Sequence, residues 1–184
     1  MLKDVIFAGF GGQGVMVAGQ ILAKAAMEKG YYSTWLPSYG PEQRGGTANC
    51  TVMISDEPIA SPLTHAPTYC VIFNNPSFQK FEPMAREGGV FIYNTSMITE
   101  KPTRDDVTYI GIAATELAEG MGSVKATNMI LLGALTYFLQ DVVSLDDIIA
   151  AMREKLGKKK PELADLNEQA LRKGFELASE QAKK

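Results

Sequence analysis

Cysteine is scarce in this 184-residue sequence, where Cys50 and Cys70 are the only two. Two thiols exclude a disulfide-stapled scaffold and fall short of the four thiolates that an iron–sulfur cluster normally takes. Histidine is scarcer still: the single His65 is a poor basis for a zinc site or a histidine-centred triad. Charge is nearly balanced, with 18 basic and 21 acidic residues, a net charge of −3 and a pI near 5.3. That balance argues against a surface that coats nucleic acid. The longest apolar run, Met129 to Leu139, is about half of a membrane span. Met1-Leu2-Lys3-Asp4 leads straight into a short apolar stretch, so no signal peptide is expected. There is no Gly-Lys-Ser or Gly-Lys-Thr of a triphosphate-binding loop. No base–nucleophile pair, metal cluster or redox thiol pair stands out. These absences predict a cytoplasmic chain that meets neither nucleic acid nor membrane and has no catalytic or metal site of its own.

What is present is an orderly alternation. Asp4–Ala8 is a β-rich run stopped by glycines, and Val15, Ala18, Leu22 and Ala25 then recur at helical spacing as far as Gly30. Tyr31–Leu36 reads as a second strand ended by Pro37. Asn49–Ile54 and Thr68–Phe73 are further strands, and Asn75-Pro76 opens a helix over 77–86. Val90–Tyr93 and Val107–Ile110 are strand-like. Helices follow over 113–119 and 127–139, then one capped by Ser144 and one opened by Pro161. The apolar strands between helices predict an α/β fold, a doubly wound, Rossmann-like sandwich with a parallel or mixed sheet covered on both faces. The length suits one domain over residues 1–184, with the helices of about 144–184 packing on it. From Arg153 onward there are nine basic and six acidic residues, so that segment is positive and the remainder negative. Lys158-Lys159-Lys160 reads as a solvated helix junction, because Gly157 can end one helix and Pro161 begin the next. The stripe Leu171, Phe175, Ala178 and Ala182 reads as packing more than as a partner face.

Two loops carry chemistry. Gly9-Phe10-Gly11-Gly12-Gln13-Gly14 lies between a strand and a helix, where a glycine fingerprint has meaning. Gly9 allows the tight turn, Gly11 a close approach of backbone to a ligand, and Gly14 close helix–sheet contact. The free N–H groups that open the helix favour an anion. The same residues also suit a tight βα turn with no ligand. A dinucleotide site expects an acidic residue at the end of strand two, and Trp35-Leu36-Pro37-Ser38-Tyr39 has none. The second loop, residues 37–50, contains Glu42-Gln43-Arg44-Gly45-Gly46 and leaves the sheet at the same edge. Arg44 is the only Lys or Arg between Lys29 and Lys80. It suits a phosphate or carboxylate through paired hydrogen bonds, or it is a plain surface arginine. Other residues read blandly. His65 suits a cap or the surface, Cys50 and Cys70 suit buried thiols, and Asn128 suits a helix cap. Asp105-Asp106 and Asp146-Asp147 fit a turn and a helix start.

The two loops together, with Ile54-Ser55-Asp56-Glu57-Pro58-Ile59-Ala60-Ser61-Pro62 and Thr127-Asn128-Met129-Ile130, resemble the gamma subunit of 2-oxoacid:ferredoxin oxidoreductases. Ser38-Tyr39-Gly40-Pro41-Glu42-Gln43-Arg44-Gly45-Gly46-Thr47-Ala48-Asn49-Cys50 looks most like the 2-oxoglutarate branch, then the branched-chain branch, then pyruvate. The resemblance implies a complex that decarboxylates a 2-oxoacid on thiamine diphosphate, passes electrons through iron–sulfur clusters to ferredoxin and releases an acyl-CoA. Thiamine diphosphate and the clusters belong, on that resemblance, to partner subunits: alpha, beta and a ferredoxin-like delta chain. This chain is expected to bind no cofactor tightly alone and to contact coenzyme A. By the same resemblance Gly11, Gly12 and Gln13 face the coenzyme A site, as do Glu42, Gln43, Arg44 and Asn128, with Gly9, Gly14, Gly45 and Gly46 shaping the loops. Fused pyruvate enzymes have a lysine-rich second loop; here Arg44 is left to supply most of its charge. The rival readings are the similar beta subunit of indolepyruvate:ferredoxin oxidoreductase and a free-standing dinucleotide-binding module.

Overall fold

A computed structural model describes residues 1–40, 47–158 and 160–184. Its elements run β1 (Leu2–Phe10), α1 (Val15–Glu28), β2 (Tyr32–Tyr39), β3 (Thr47–Ser55), β4 (Tyr69–Ile72), α2 (Asn75–Phe81), β5 (Val90–Asn94), β6 (Thr108–Ile112), α3 (Ala114–Gly120), α4 (Thr127–Phe138), α5 (Leu145–Leu156) and α6 (Pro161–Ala182). The strands form one sheet in the order β2-β3-β1-β4-β5-β6. β1, β4, β5 and β6 are parallel, whereas β3 runs antiparallel to both β1 and β2. The sheet is therefore mixed, as expected.

Strand alternation explains the unbroken apolar runs. Val5 and Phe7 of β1 enter one core with α1, α4, α5 and α6, while Ile6 and Ala8 enter a second core with Phe78 and Phe81 of α2. Both faces are dry, so neither can be polar. The larger core is closed by α4 crossing α6 at two glycines. A Cβ on Gly133 would come within 2.8 Å of the Leu171 carbonyl carbon, and one on Gly174 within 2.7 Å of that of Ile130. The backbones can approach this closely because no side chain separates them. α6 also sets Leu171 and Ala178 fully inside and Phe175 against Tyr137, so these three of the stripe pack, while Ala182 is exposed. On the other face Glu82 is buried and accepts from Tyr109 Oη at 2.6 Å and from Thr103 Oγ1 at 2.7 Å. Burial pushes its carboxyl up, but those hydrogen bonds and nearby Arg104 outweigh it and hold the group below its ordinary value.

Three local expectations need correction. β2 does not stop at Pro37 but continues to Tyr39; it is an edge strand, where a missing N–H leaves no ladder bond unmade. The first helix residue after β4 is Asn75, but the cap is Asn74, whose side chain accepts from the Ser77 N–H at 2.9 Å. That helix ends at Phe81 and not at Arg86, since Pro83 cannot donate to the helical ladder. Ser144 does cap α5, in a reciprocal pair with Asp147, and Gly157 and Pro161 bound the junction to α6.

Candidate functional site at the carboxyl edge of the sheet

The chain reverses its winding between β1 and β4. α1 covers one face and α2 the other, so a crevice opens outside the carboxyl ends of these two strands, where open α/β sheets hold ligands. The glycine turn forms its rim. Gly12 and Gly14 have φ of +90° and +80°, in the left-handed region that glycine enters without strain. Gln13 closes the turn: its Oε1 accepts from the Phe10 N–H at 2.6 Å. Gly9 is required by space, because a Cβ there would lie 2.6 Å from both Phe73 Cβ and Gln13 Oε1. Gly14 meets Asn128 instead. The Asn128 amide donates to the Gly14 carbonyl at 3.1 Å, tying α4 to the turn across the sequence.

Asn128 is therefore not the cap of its helix. It lies inside α4, whose N-cap is Ala126, and it is buried. Gly11 differs from its neighbours: a Cβ on it would meet nothing within 4 Å, and its φ is not positive. Nothing inside the described chain requires glycine at this position. The first turn of α1 has no side-chain cap, so its N–H groups keep their capacity for an outside acceptor.

Two concavities of about 390 Å³ flank the turn. One is lined by Gly12, Gln13 and Gly14 together with Phe73, Met97, Thr115, Val124, Lys125 and Thr127, from the ends of β4, β5 and β6 and the start of α4. Lys125 is the one charged residue in that lining among the described residues. The other is lined by Phe10, Gly11, Val15, Met16, Val17, Tyr39 and Ala48. Sequence reasoning missed Lys125, Thr115 and Met97 as lining residues. They lie 100 or so positions from the glycines, and no spacing rule links them; only the parallel order of β4, β5 and β6 brings their strand ends together.

Glu42, Gln43, Arg44, Gly45 and Gly46 lie outside the described residues. Their anchors do not: the Gly40 N–H donates to the Thr47 carbonyl at 2.7 Å. Phe10 pairs with Thr47, and Tyr39 with Ala48, so this loop starts and ends at the edge that bears the glycine turn. It joins a hairpin, however, and does not follow a strand adjacent to β1. In the dinucleotide fold the acidic residue sits on the strand beside β1; here that neighbour is antiparallel β3. The missing carboxylate thus has a topological counterpart.

Cys50 and Cys70 are buried thiols. Burial pushes Cys50 up to about 12 and raises Cys70 as well, which suits neither nucleophile nor ligand. His65 is exposed. Among the described residues no three His, Cys, Asp or Glu side chains are grouped to hold a metal, and no helix is long and apolar enough to cross a membrane.

The likenesses to known proteins agree with this geometry. Residues 4–177 match the family model for pyruvate ferredoxin/flavodoxin oxidoreductase. The chain is 36% identical to the 2-oxoglutarate synthase subunit KorC of Methanocaldococcus jannaschii, over 98% of this chain and 96% of that one. It is 43% identical over 71% of its length to the ketoisovalerate oxidoreductase subunit VorA of Methanothermobacter marburgensis, but the match spans only 27% of that relative. Among solved structures, the gamma subunit of a keto/oxoacid ferredoxin oxidoreductase from Geobacter sulfurreducens superposes with a TM-score of 0.86, 27% identity and 98% coverage of both chains. The 2-oxoglutarate:ferredoxin oxidoreductase of Magnetococcus marinus, solved with 2-oxoglutarate, coenzyme A and succinyl-CoA, superposes with a TM-score of 0.88 at 25% identity, over 97% of this chain and 31% of that one. With its glycine turn, its β2–β3 hairpin and its carboxyl-edge crevice, the chain belongs to the pyruvate ferredoxin/flavodoxin oxidoreductase family and has the fold of that family's gamma subunit.

Proposed function

We propose that this chain is the gamma subunit of a complex that oxidatively decarboxylates a 2-oxoacid to an acyl-CoA, and that its carboxyl-edge crevice forms part of the coenzyme A side of the active site. The observation that carries the reading is the glycine turn with its uncapped helix start between two adjoining concavities: Lys125 is the charged residue lining one, and Gly11, with no described residue above it, lines the other. These features fit a phosphate-bearing ligand: backbone N–H groups and an ammonium complement its charge, and Phe73, Met97 and Val124 offer apolar contact. The volume suits part of coenzyme A, so the remainder would rest on partner chains. When bound, coenzyme A supplies the thiol that accepts the acyl group. This chain's share is to bind and orient: Gly11, Gly12 and Lys125 face the ligand, and Arg44 on the second loop supplies further charge. Gln13 and Asn128 position the turn through Phe10 and Gly14. The decarboxylation and electron transfer belong to alpha, beta and ferredoxin-like delta subunits with thiamine diphosphate and iron–sulfur clusters.

For the 2-oxoacid, the end-to-end likeness to a 2-oxoglutarate synthase subunit supports 2-oxoglutarate. The higher identity to a ketoisovalerate oxidoreductase subunit supports a branched-chain oxoacid as the second reading. Ferredoxin reduction by the purified complex, assayed with 2-oxoglutarate, 3-methyl-2-oxobutanoate and pyruvate, decides between them; the highest kcat/KM is expected with 2-oxoglutarate. The isolated chain should be silent in that assay. Calorimetric titration of the isolated chain with NADH tests the rival dinucleotide module: micromolar binding, roughly −8 kcal/mol, would overturn the assembly reading.

A further inference from the structure

A third concavity lies at the far end of α1, remote from the glycine turn. α1 rises about 1.5 Å per residue, so its two ends are roughly 20 Å apart. The groove has a volume of about 450 Å³ and sits where edge strand β2 meets α1 and α5. Its floor is apolar: Trp35, Ala23 and Met27, the last 61% exposed. Trp35 is half-buried: its ring and the Cys50 thiol both lie against Gly19 of α1, its Nε1 is buried, and the side chain also lines the groove. The rim is basic, with three lysines to one glutamate. Lys24 is taken up by Glu28 at 2.7 Å and Glu154 at 3.2 Å. Lys155 and Lys158 make no ion pair among the described residues, and both are exposed.

We propose that this groove docks an acidic, extended segment of a partner polypeptide, with one large apolar side chain seated on Trp35 and Met27 and flanking carboxylates on Lys155 and Lys158. Three observations select that occupant. The chain is net negative, so a basic rim on it attracts and orients an acidic partner that the rest of the surface repels. The apolar floor asks for a side chain and not for an ion alone. β2 is the outermost strand of the sheet among the described residues, an edge along which an extended segment can add as a further strand, and Pro37 confines such pairing to the stretch before it. A nucleotide would match the cations but would leave the strand edge unused. The site is separate from the crevice at the carboxyl edge and stands whether or not that crevice takes coenzyme A.

The test uses the complex purified from cells in which Met27 is replaced by p-benzoylphenylalanine. Irradiation should join this residue to one acidic, hydrophobic-containing peptide of another subunit. The double variant Lys155→Glu/Lys158→Glu should lower that yield about tenfold while the melting temperature of the isolated chain stays the same. No crosslink from an intact complex, a crosslink to a neutral or basic segment, or one to a second copy of this chain would each overturn the proposal. Trp35 is the chain's only tryptophan, so titrating the isolated chain with ADP and reading its emission covers the nucleotide alternative. A saturable change that the double variant abolishes would replace the peptide with a nucleotide; an unchanged signal supports the peptide.

Discussion

Glycine serves opposite ends in two regions of this molecule. At the α4–α6 crossing, Gly133 and Gly174 are glycines because the facing backbone already fills the place of a side chain. At the turn after β1, Gly11 is a glycine although no described residue fills the space above it. Gly9 and Gly14 stand between, pressed by Phe73, Gln13 and Asn128. A residue required by the chain's own packing reports on folding. One that the chain's own packing does not require points outward, to something the fold leaves room for.

That contrast makes a ranked set of predictions. Gly174→Val should have the largest effect, because two branches would be driven into the Ile130 carbonyl of α4. Overpacking typically costs about 1–3 kcal/mol, and with backbone as the obstacle the upper end is expected, so thermal denaturation should show a melting point lower by roughly 10 °C or no cooperative transition. A loss under about 1 kcal/mol would mean that the helices can slide apart, and the comparison would fail. Gly14→Ala comes next. It combines a left-handed backbone with a collision at Asn128, and should cost about 1–3 kcal/mol by denaturant titration.

Lys125→Ala should leave stability within about 0.5 kcal/mol, since the side chain is exposed. In the assembled enzyme it should raise KM for coenzyme A about tenfold or more, the worth of one charge-assisted contact at about 1.5–3 kcal/mol, with KM for the oxoacid unchanged. Arg44→Ala should act on the same half of the reaction; size-exclusion chromatography of that variant complex tells a ligand contact from a subunit anchor. The smallest stability change belongs to Gly11→Val. Its side chain would meet no described residue, so the melting curve should barely move, yet the complex should lose coenzyme A-dependent turnover. Wild-type turnover in that variant would make the turn purely structural.

The ease of reading the sequence varied with the range of the forces involved. Strand and helix identities were plain because each follows from residues within one window: alternation in β1, helical spacing in α1, and Ser144 with Asp147 at the start of α5. Two errors were local, the cap at Asn74 and the helix end before Pro83; the others fell where a neighbour in space overrode a local rule. Pro37 looks like a stop signal until β2 is known to be an edge strand, and Asn128 looks like a cap until Gly14 is found beside it.

The amino-acid sequence by itself determined the alternating elements, the glycine turn, the lack of a carboxylate after strand two and the basic C-terminal segment. These are local properties of composition and order. Only the tertiary structure decided that β2 and β3 form a hairpin at one side of β1, that Lys125 joins the glycines around one crevice, and that Trp35 shares a groove with Lys155 and Lys158. Such meetings depend on how the sheet is ordered and on which faces the helices cover. Burial of apolar surface sets that order over the whole chain at once, and no window of sequence contains it.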